Sequence, residues 1–324
     1  MWSNRTVASS DPDEFVTLIR PAGCKILVTE RGQFDAGSTL IDIGPLYAQR
    51  RWERLARIAH VETVRPGILF LTAPGPSMFW NGGEIRQEHV LLFRSDAVLV
   101  SRSSGPFAWG AMTLADDDME ALCTSYPGCS SMLMSSSVLI TPPAGALARL
   151  RLLHAAAGNV ADICRGSADP AAFARWLEQA LMTAMAEIVG AADVPSDTMA
   201  RQHHQMIIRR FLEILEAHPV EPFPMQTISD AIGVSSRTLR MACQTQLGVS
   251  PTQFLLLRRM RQARRALQQA DPDVTRVTDV ATELGFWELG RFAVKYRQIF
   301  GETPSATLRA VGSNERLRSH YALA

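Results

Sequence analysis

The chain has 324 residues, of which 47% are hydrophobic and 20% charged, with 21 glycines and 18 prolines. That length exceeds what one core commonly organises and argues for two domains, while the composition excludes collagen-like, low-complexity and disordered classes. The net charge of +1 hides an asymmetry, since residues 1–200 carry 16 Lys+Arg against 21 Asp+Glu and residues 201–324 carry 17 against 11. No run approaches the roughly 18 apolar residues of a membrane span. The stretch Met1 to Asp13 is polar where a secretory signal has an apolar core, so a cytoplasmic protein with no membrane partner is expected.

Along the chain, short strands come first. Ile26 to Thr29, Thr39 to Ile43, Arg57 to Val64, Gly67 to Thr72, Val90 to Phe93 and Ala97 to Ser101 are apolar or alternating runs. Turn signals such as Pro66-Gly67 and Asn81-Gly82-Gly83 separate them, which predicts a small sandwich or barrel. From Asp116 the period becomes helical, over Asp117 to Tyr126, Leu147 to Ala157 and Asp169 to Val189. In the last of these Asp169 can cap the helix and Pro170 suits its first turn. Phe173, Leu177, Leu181 and Met185 then recur every four residues, as a domain core or as a seam for a homodimer through residues 147–189. Gly190 to Asp197 reads as a linker, which gives a first domain over 1–190, a linker over 191–200 and a second domain over 201–324.

The second domain contains an internal repeat. Met225, Ile228, Ile232 and Gly233 return 52 residues later as Val277, Val280, Leu284 and Gly285, with Ser229 matching Ala281; Leu239, Leu247, Gly248 and Pro251 return at an offset of 53 as Phe292, Phe300, Gly301 and Pro304. Each copy is a short helix, a turn with Gly, a second helix and a Gly-x-x-Pro end. This is the pattern of a helix-turn-helix, whose second helix can enter a DNA major groove, and the units fall at about 222–248 and 274–301. Arginine excess favours a polyanion partner, although a GC-rich genome would also enrich arginine, and a duplicated hairpin in a bundle without nucleic acid is the plain alternative.

Between the copies, Pro251 to Ala270 reads as one helix of about 30 Å, close to one DNA turn. Phe254, Leu257, Ala263 and Leu267 bind it to both lobes and leave Arg258, Arg259, Arg261, Arg264 and Arg265 for phosphates, acids or solvent. In the first unit Ser235 can cap the second helix, whose free face presents Ser236, Arg237, Arg240, Met241 and Gln244. In the second unit Phe286, Phe292 and Tyr296 have core spacing, which leaves Glu288, Leu289, Arg291 and Lys295 for DNA and Arg297 near its backbone. Any of these charges could instead be a solvated surface residue.

The run from Val277 to Phe286 (VTDVATELGF), with Gly290-Arg-Phe292, Tyr296-Arg297 and Phe300-Gly-Glu-Thr-Pro304, resembles the signature of the AraC/XylS family of bacterial transcription regulators over about residues 203 to 310. Ser229 stands where that family usually has Ala. Residues 40 to 120 more weakly resemble the cupin-like regulatory domain that many such regulators carry. The resemblance implies an α+β two-domain chain, an N-terminal cupin-like β-barrel with helices followed by an all-α double helix-turn-helix. It also implies a small-molecule effector and promoter activation through RNA polymerase, on double-stranded DNA. Phe70, Trp80, Phe93 and Trp109, with Phe79, Phe107, Arg65 and Arg86, could line an effector pocket or fill a core.

An enzyme is not expected, nor a metal or cofactor. His60 and His89 lie far apart with no H-x-H, His203 and His204 lack partner spacing, and there is no G-x-G-x-x-G or phosphate loop. Cys24, Cys123, Cys129, Cys164 and Cys243 form no C-x-x-C pair and are expected as reduced thiols. Ligand-independent DNA binding and a cupin-type enzyme tethered to DNA are the alternative functions.

Overall fold

The computed structural model of the protein describes residues 2–17, 22–126, 137–159, 169–190, 199–218 and 224–310. The linker expected over 191–200 thus lies almost wholly outside the described residues. The chain divides into two compact units, Met1–Ile26 with Phe34–Gln202, and Leu27–Gln33 with His203–Ala324. No described helix is long and apolar enough to cross a membrane.

The first unit is built on two antiparallel sheets. The larger has the strand order β1 (Trp2–Ser9), β3 (Ala36–Ile43), β4 (Leu46–Glu53), β11 (Phe107–Thr113), β6 (Gly67–Leu71), β9 (Val90–Phe93), β12 (Val138–Ile140). The smaller runs β2 (Ala22–Val28), β5 (Arg57–Thr63), β10 (Val98–Ser103), β7 (Met78–Trp80), β8 (Gly83–Ile85). A short α1 (Pro12–Thr17) follows β1, and α2 (Asp116–Ser125), α3 (Ala144–Gly158) and α4 (Pro170–Gly190) complete the unit.

Successive side chains of a strand face opposite ways, and here β6, β9 and β11 are buried on both faces, so these strands read as continuous apolar runs. Phe70, Val90, Leu92 and Met112 join the core shared with Leu150 of α3 and with Leu177, Leu181 and Met185 of α4. Their neighbours Leu71, Leu91, Phe93 and Trp109 join the core between the sheets, with Trp80 and Leu99. Gly110 lets α3 approach, since a Cβ there would lie 2.7 Å from the His154 ring and 2.9 Å from Phe70.

One alternative is decided and one expectation is corrected. The stripe on α4 is not a free seam: Leu177, Leu181 and Met185 are fully buried in the chain's own core and Phe173 packs against it, because a four-residue period looks the same whichever apolar surface it meets. Cys123 is disulfide-bonded rather than a thiol, with its partner outside the described residues. Pairing depends on proximity in the fold, which an odd count and the lack of a C-x-x-C motif do not exclude.

The second unit is helical: α5 (Met199–Ala217), α6 (Met225–Ile232), α7 (Ser236–Leu247), α8 (Pro251–Gln269), α9 (Val277–Glu283) and α10 (Leu289–Phe300), with a last helical stretch over 304–310. Phe211 of α5 meets Phe254 of α8 with ring centroids 5.7 Å apart. Met260, Ala263 and Leu267 on the other end of α8 pack with Val280, Ala281, Phe292 and Tyr296.

Candidate functional site

The repeat read in the sequence corresponds to two helix pairs. In the first, α6 ends at Gly233, whose φ of 80° is left-handed and whose N–H donates to the Ser229 and Asp230 carbonyls, closing the helix as such glycines do. The chain turns through Val234 and starts α7 at Ser235, whose Oγ accepts from the Thr238 N–H at 3.1 Å. The hydroxyl of Ser229, the departure from Ala, is buried; it donates to the Met225 carbonyl at 3.0 Å and lies 3.2 Å from Ser236 Oγ. The close approach of the helices therefore survives a polar side chain, because its hydrogen bonds are satisfied locally.

Leu239, Ala242, Cys243, Gln246 and Leu247 turn inward on α7, and burial pushes the Cys243 thiol up to about 12. Arg237, Arg240, Met241 and Gln244 are exposed, whereas Ser236 is half-buried and donates to Gln226 Oε1 at 3.2 Å. Neither Arg237 nor Arg240 has an ion-pair partner among the described residues.

The second pair repeats the geometry with different chemistry. Gly285 has φ 76°, the Phe286 N–H donates to the Ala281 carbonyl, and α10 places Phe292 and Tyr296 inward. Tyr296 Oη and Thr307 Oγ1 share a buried hydrogen bond of 2.8 Å. Glu288, Leu289, Arg291 and Arg297 are exposed and Lys295 is half-buried. Arg291 is already bound to Glu288 at 2.6 Å, so it presents less free charge than Arg237 or Arg240. Trp287 and Val294, 78% and 60% exposed, stand on this unit and were not among the expected contacts; an exposed Trp beside a helix start was the available signal.

The arginines of α8 are mostly not free. Arg258 donates to the Leu215 carbonyl, Arg259 lies 5.2 Å over the Phe286 ring, and Arg264 lies 5.0 Å over Phe300 and 3.4 Å from Glu302. These contacts hold the helices to the rod. Serving phosphates would compete with them; of the roles expected for these arginines, pairing with an acid is the one Arg264 takes. Each Gly-x-x-Pro end also starts the next helix. Pro251 opens α8 behind a Ser250 cap, and Pro304 opens the stretch 304–310, where Thr303 Oγ1 accepts from the Ala306 N–H.

Residues 228–310, which run from the first helix of the first pair to beyond the second pair, match the helix-turn-helix domain family. Over 105 residues the chain is 41% identical to the probable thc operon regulatory protein of Rhodococcus erythropolis, a match covering 32% of each chain. Over 100 residues it is 30% identical to the XylDLEGF operon transcriptional activator of Pseudomonas putida, covering 31% of each. By this module the chain belongs to the AraC/XylS family of transcriptional regulators. The match spans about a third of the length of these relatives. A solved structure of a probable AraC family transcriptional regulator from Rhodopseudomonas palustris is also similar to this AraC/XylS-family chain, at 36% identity and a TM-score of 0.30, covering 32% of this chain and 96% of that one.

The remaining candidate residues lie in the first unit of this AraC/XylS-family chain. A cavity of about 70 Å³ between the two sheets is lined by Trp80, Phe93, Trp109 and Arg65. Phe70 is not on it: it faces the helices, 5.1 Å from the His154 ring, because it alternates with Leu69 and Leu71 along β6. Phe79 lies 3.6 Å from the Arg102 guanidinium, Phe107 lies 4.7 Å from that of Arg57, and Arg86 bonds to Glu84 at 3.1 Å. Missed by the sequence reading are Gln49, Arg51, Glu53 and Arg57, all of which line the cavity.

Proposed function

We propose that this chain is a sequence-specific DNA-binding transcriptional regulator of the cytoplasm, which binds double-stranded DNA through both helix-turn-helix units. The observation that carries the reading is the duplicated helix-turn-helix itself, in which one arrangement of turn glycine and inward apolar set is built from two different sequences. Specific readout falls to Arg237 and Arg240, whose guanidinium groups are exposed and can each donate two hydrogen bonds to a guanine edge. Met241 and Gln244 lie beside them, while Ser236 supports α7 through Gln226. In the second unit Leu289, Arg291, Lys295 and Arg297 meet backbone and groove shape more than base edges, since Glu288 already engages Arg291. The test is recovery of genomic fragments by the full-length chain, followed by titration over a range of salt. Counterion release requires the affinity to fall steeply with salt, and a chain that retains no fragment at any salt sinks the reading.

The domain reading is 1–190 for regulation and 201–324 for DNA. The paired sheets and the cavity between them support a cupin-like first domain that binds a small effector, and the Pseudomonas putida relative's name supports transcriptional activation. RNA polymerase is the partner such an activator would need. A homodimer through residues 147–189 has to use the exposed Leu152 and Trp176 rather than the buried stripe.

A further inference from the structure

β4 carries polar residues on the face that lines the cavity. Gln49, Arg51 and Glu53 alternate with Arg50 and Trp52, and all three line the space between the sheets. Across the strand pair Arg51 stands opposite Trp109 and Glu53 opposite Phe107. Glu53 is taken: it accepts from Arg57 Nε at 3.2 Å, and Arg57 also donates to Ser101 Oγ at 2.7 Å. Arg51 is different. It is 1% exposed, its Nε donates to Ser38 Oγ at 3.3 Å, and its Nη2 has no hydrogen-bond partner. The Phe15 and Trp109 rings lie 4.5 and 5.4 Å from its guanidinium carbon, which compensates part of the buried charge but gives the N–H edge nothing to bond.

Three more polar atoms of cavity-lining residues are buried without partners: Trp80 Nε1, Trp109 Nε1 and Gln49 Oε1. Buried donors are almost always satisfied, so the three orphan donors around this void, Arg51 Nη2 and the two indole nitrogens, are a signature of a missing acceptor. We propose that this cavity binds a small monocarboxylate with a compact aliphatic body, its carboxylate held by Arg51 with help from the two indole N–H groups. The proposal rests on the effector reading above and names the chemistry of the ligand.

The acceptor must be anionic because the one carboxylate on this wall already pairs with Arg57, which leaves Arg51 as surplus positive charge, with half-buried Arg65 also on the lining. Burial lowers the Arg51 guanidinium only to about 10, so it stays charged at neutral pH. The ligand's size follows from the void. At about 70 Å³, on a scale where one water needs roughly 10–15 Å³, it takes about five to seven heavy atoms. Val61, Leu69, Leu91 and Leu99 give the body an apolar surround.

The test uses the full-length chain with butyrate, isovalerate and their isosteric amides as probes, read by calorimetry and tryptophan fluorescence. The acids are expected to bind at least tenfold more tightly than the amides. Arg51→Gln should bring acid affinity down to that of the amide, and Trp109→Phe, which keeps the ring but removes the N–H, should weaken the acid selectively. Acid and amide binding equally to the unaltered chain would overturn the carboxylate claim while leaving the effector cavity standing. Unchanged butyrate affinity in Arg51→Gln would overturn the assigned site. Should Arg51→Gln not fold, the acid-to-amide ratio and Trp109→Phe decide. If neither acids nor amides bind at all, this proposal and the effector reading of the cavity both fail.

Discussion

Arg237 and Arg240 occupy successive positions on the open side of α7, one helical turn apart, with no carboxylate among the described residues to satisfy them. Replacing either by Ala should cost about 1–3 kcal/mol on the true site and much less on random DNA, because a base contact discriminates between sequences. Equal losses on both DNAs in a fluorescence anisotropy titration would reassign them to phosphates. His154 offers a separate test in the first unit. Burial, with the nearby Arg50, lowers its imidazole from 6.5 to about 4, and its Nε2 lies 3.1 Å from the Gln49 carbonyl. The unfolded chain therefore binds the extra proton first. Stability should be whole above pH 6.5 and decline as pH falls towards 4, by about 3 kcal/mol from this group. In urea titrations across that range His154→Leu should flatten part of the slope; an unchanged slope would exclude His154 as its source. At this scale the sequence made the inward and outward faces of α7 legible, since Leu239 and Cys243 against Arg237 and Arg240 is a clear helical pattern. It concealed Arg51, because an arginine in a polar run gives no sign that its strand turns it inward.

The helix-turn-helix depends on how its elements end and begin. At Gly233 the backbone is left-handed and a Cβ would meet nothing within 4 Å, so Gly233→Ala isolates the conformational cost, about 1–2 kcal/mol. Ser235→Ala removes the cap of α7 and should cost about 1 kcal/mol. Thermal unfolding that moves with neither substitution would mean that the turn is not part of the cooperative unit. Gly, cap and Pro are local signals, which is why the repeat could be read directly from spacing. Strands were harder. β4 escaped because its inward positions hold Gln49, Arg51 and Glu53 instead of apolar residues. Phe70 was assigned to the wrong side because Ile68 to Leu71 is apolar on both faces, and period two cannot orient a strand without contrast. The α4 stripe was visible, but its partner surface, the chain's own sheet, lies in tertiary structure.

At the scale of the molecule, the net positive charge lies in residues 201–324, which hold the two helix-turn-helix units, and residues 1–200 are net acidic. A field distributed in this way attracts a polyanion to the reading heads. The rod between them, α8, has 19 residues and is about 28 Å long at 1.5 Å per residue, close to the roughly 34 Å between successive major grooves on one side of a duplex. Its arginines fasten the flanking helices, so the spacing is held by packing and does not wait for DNA to impose it. The central claim is that both units engage one duplex at once. A hydroxyl-radical footprint of the full-length chain on a recovered genomic fragment tests it most directly. Two protected patches one helical turn apart on the same face are predicted for each bound chain; protection of a single groove, with the second unit leaving no mark, would contradict the account.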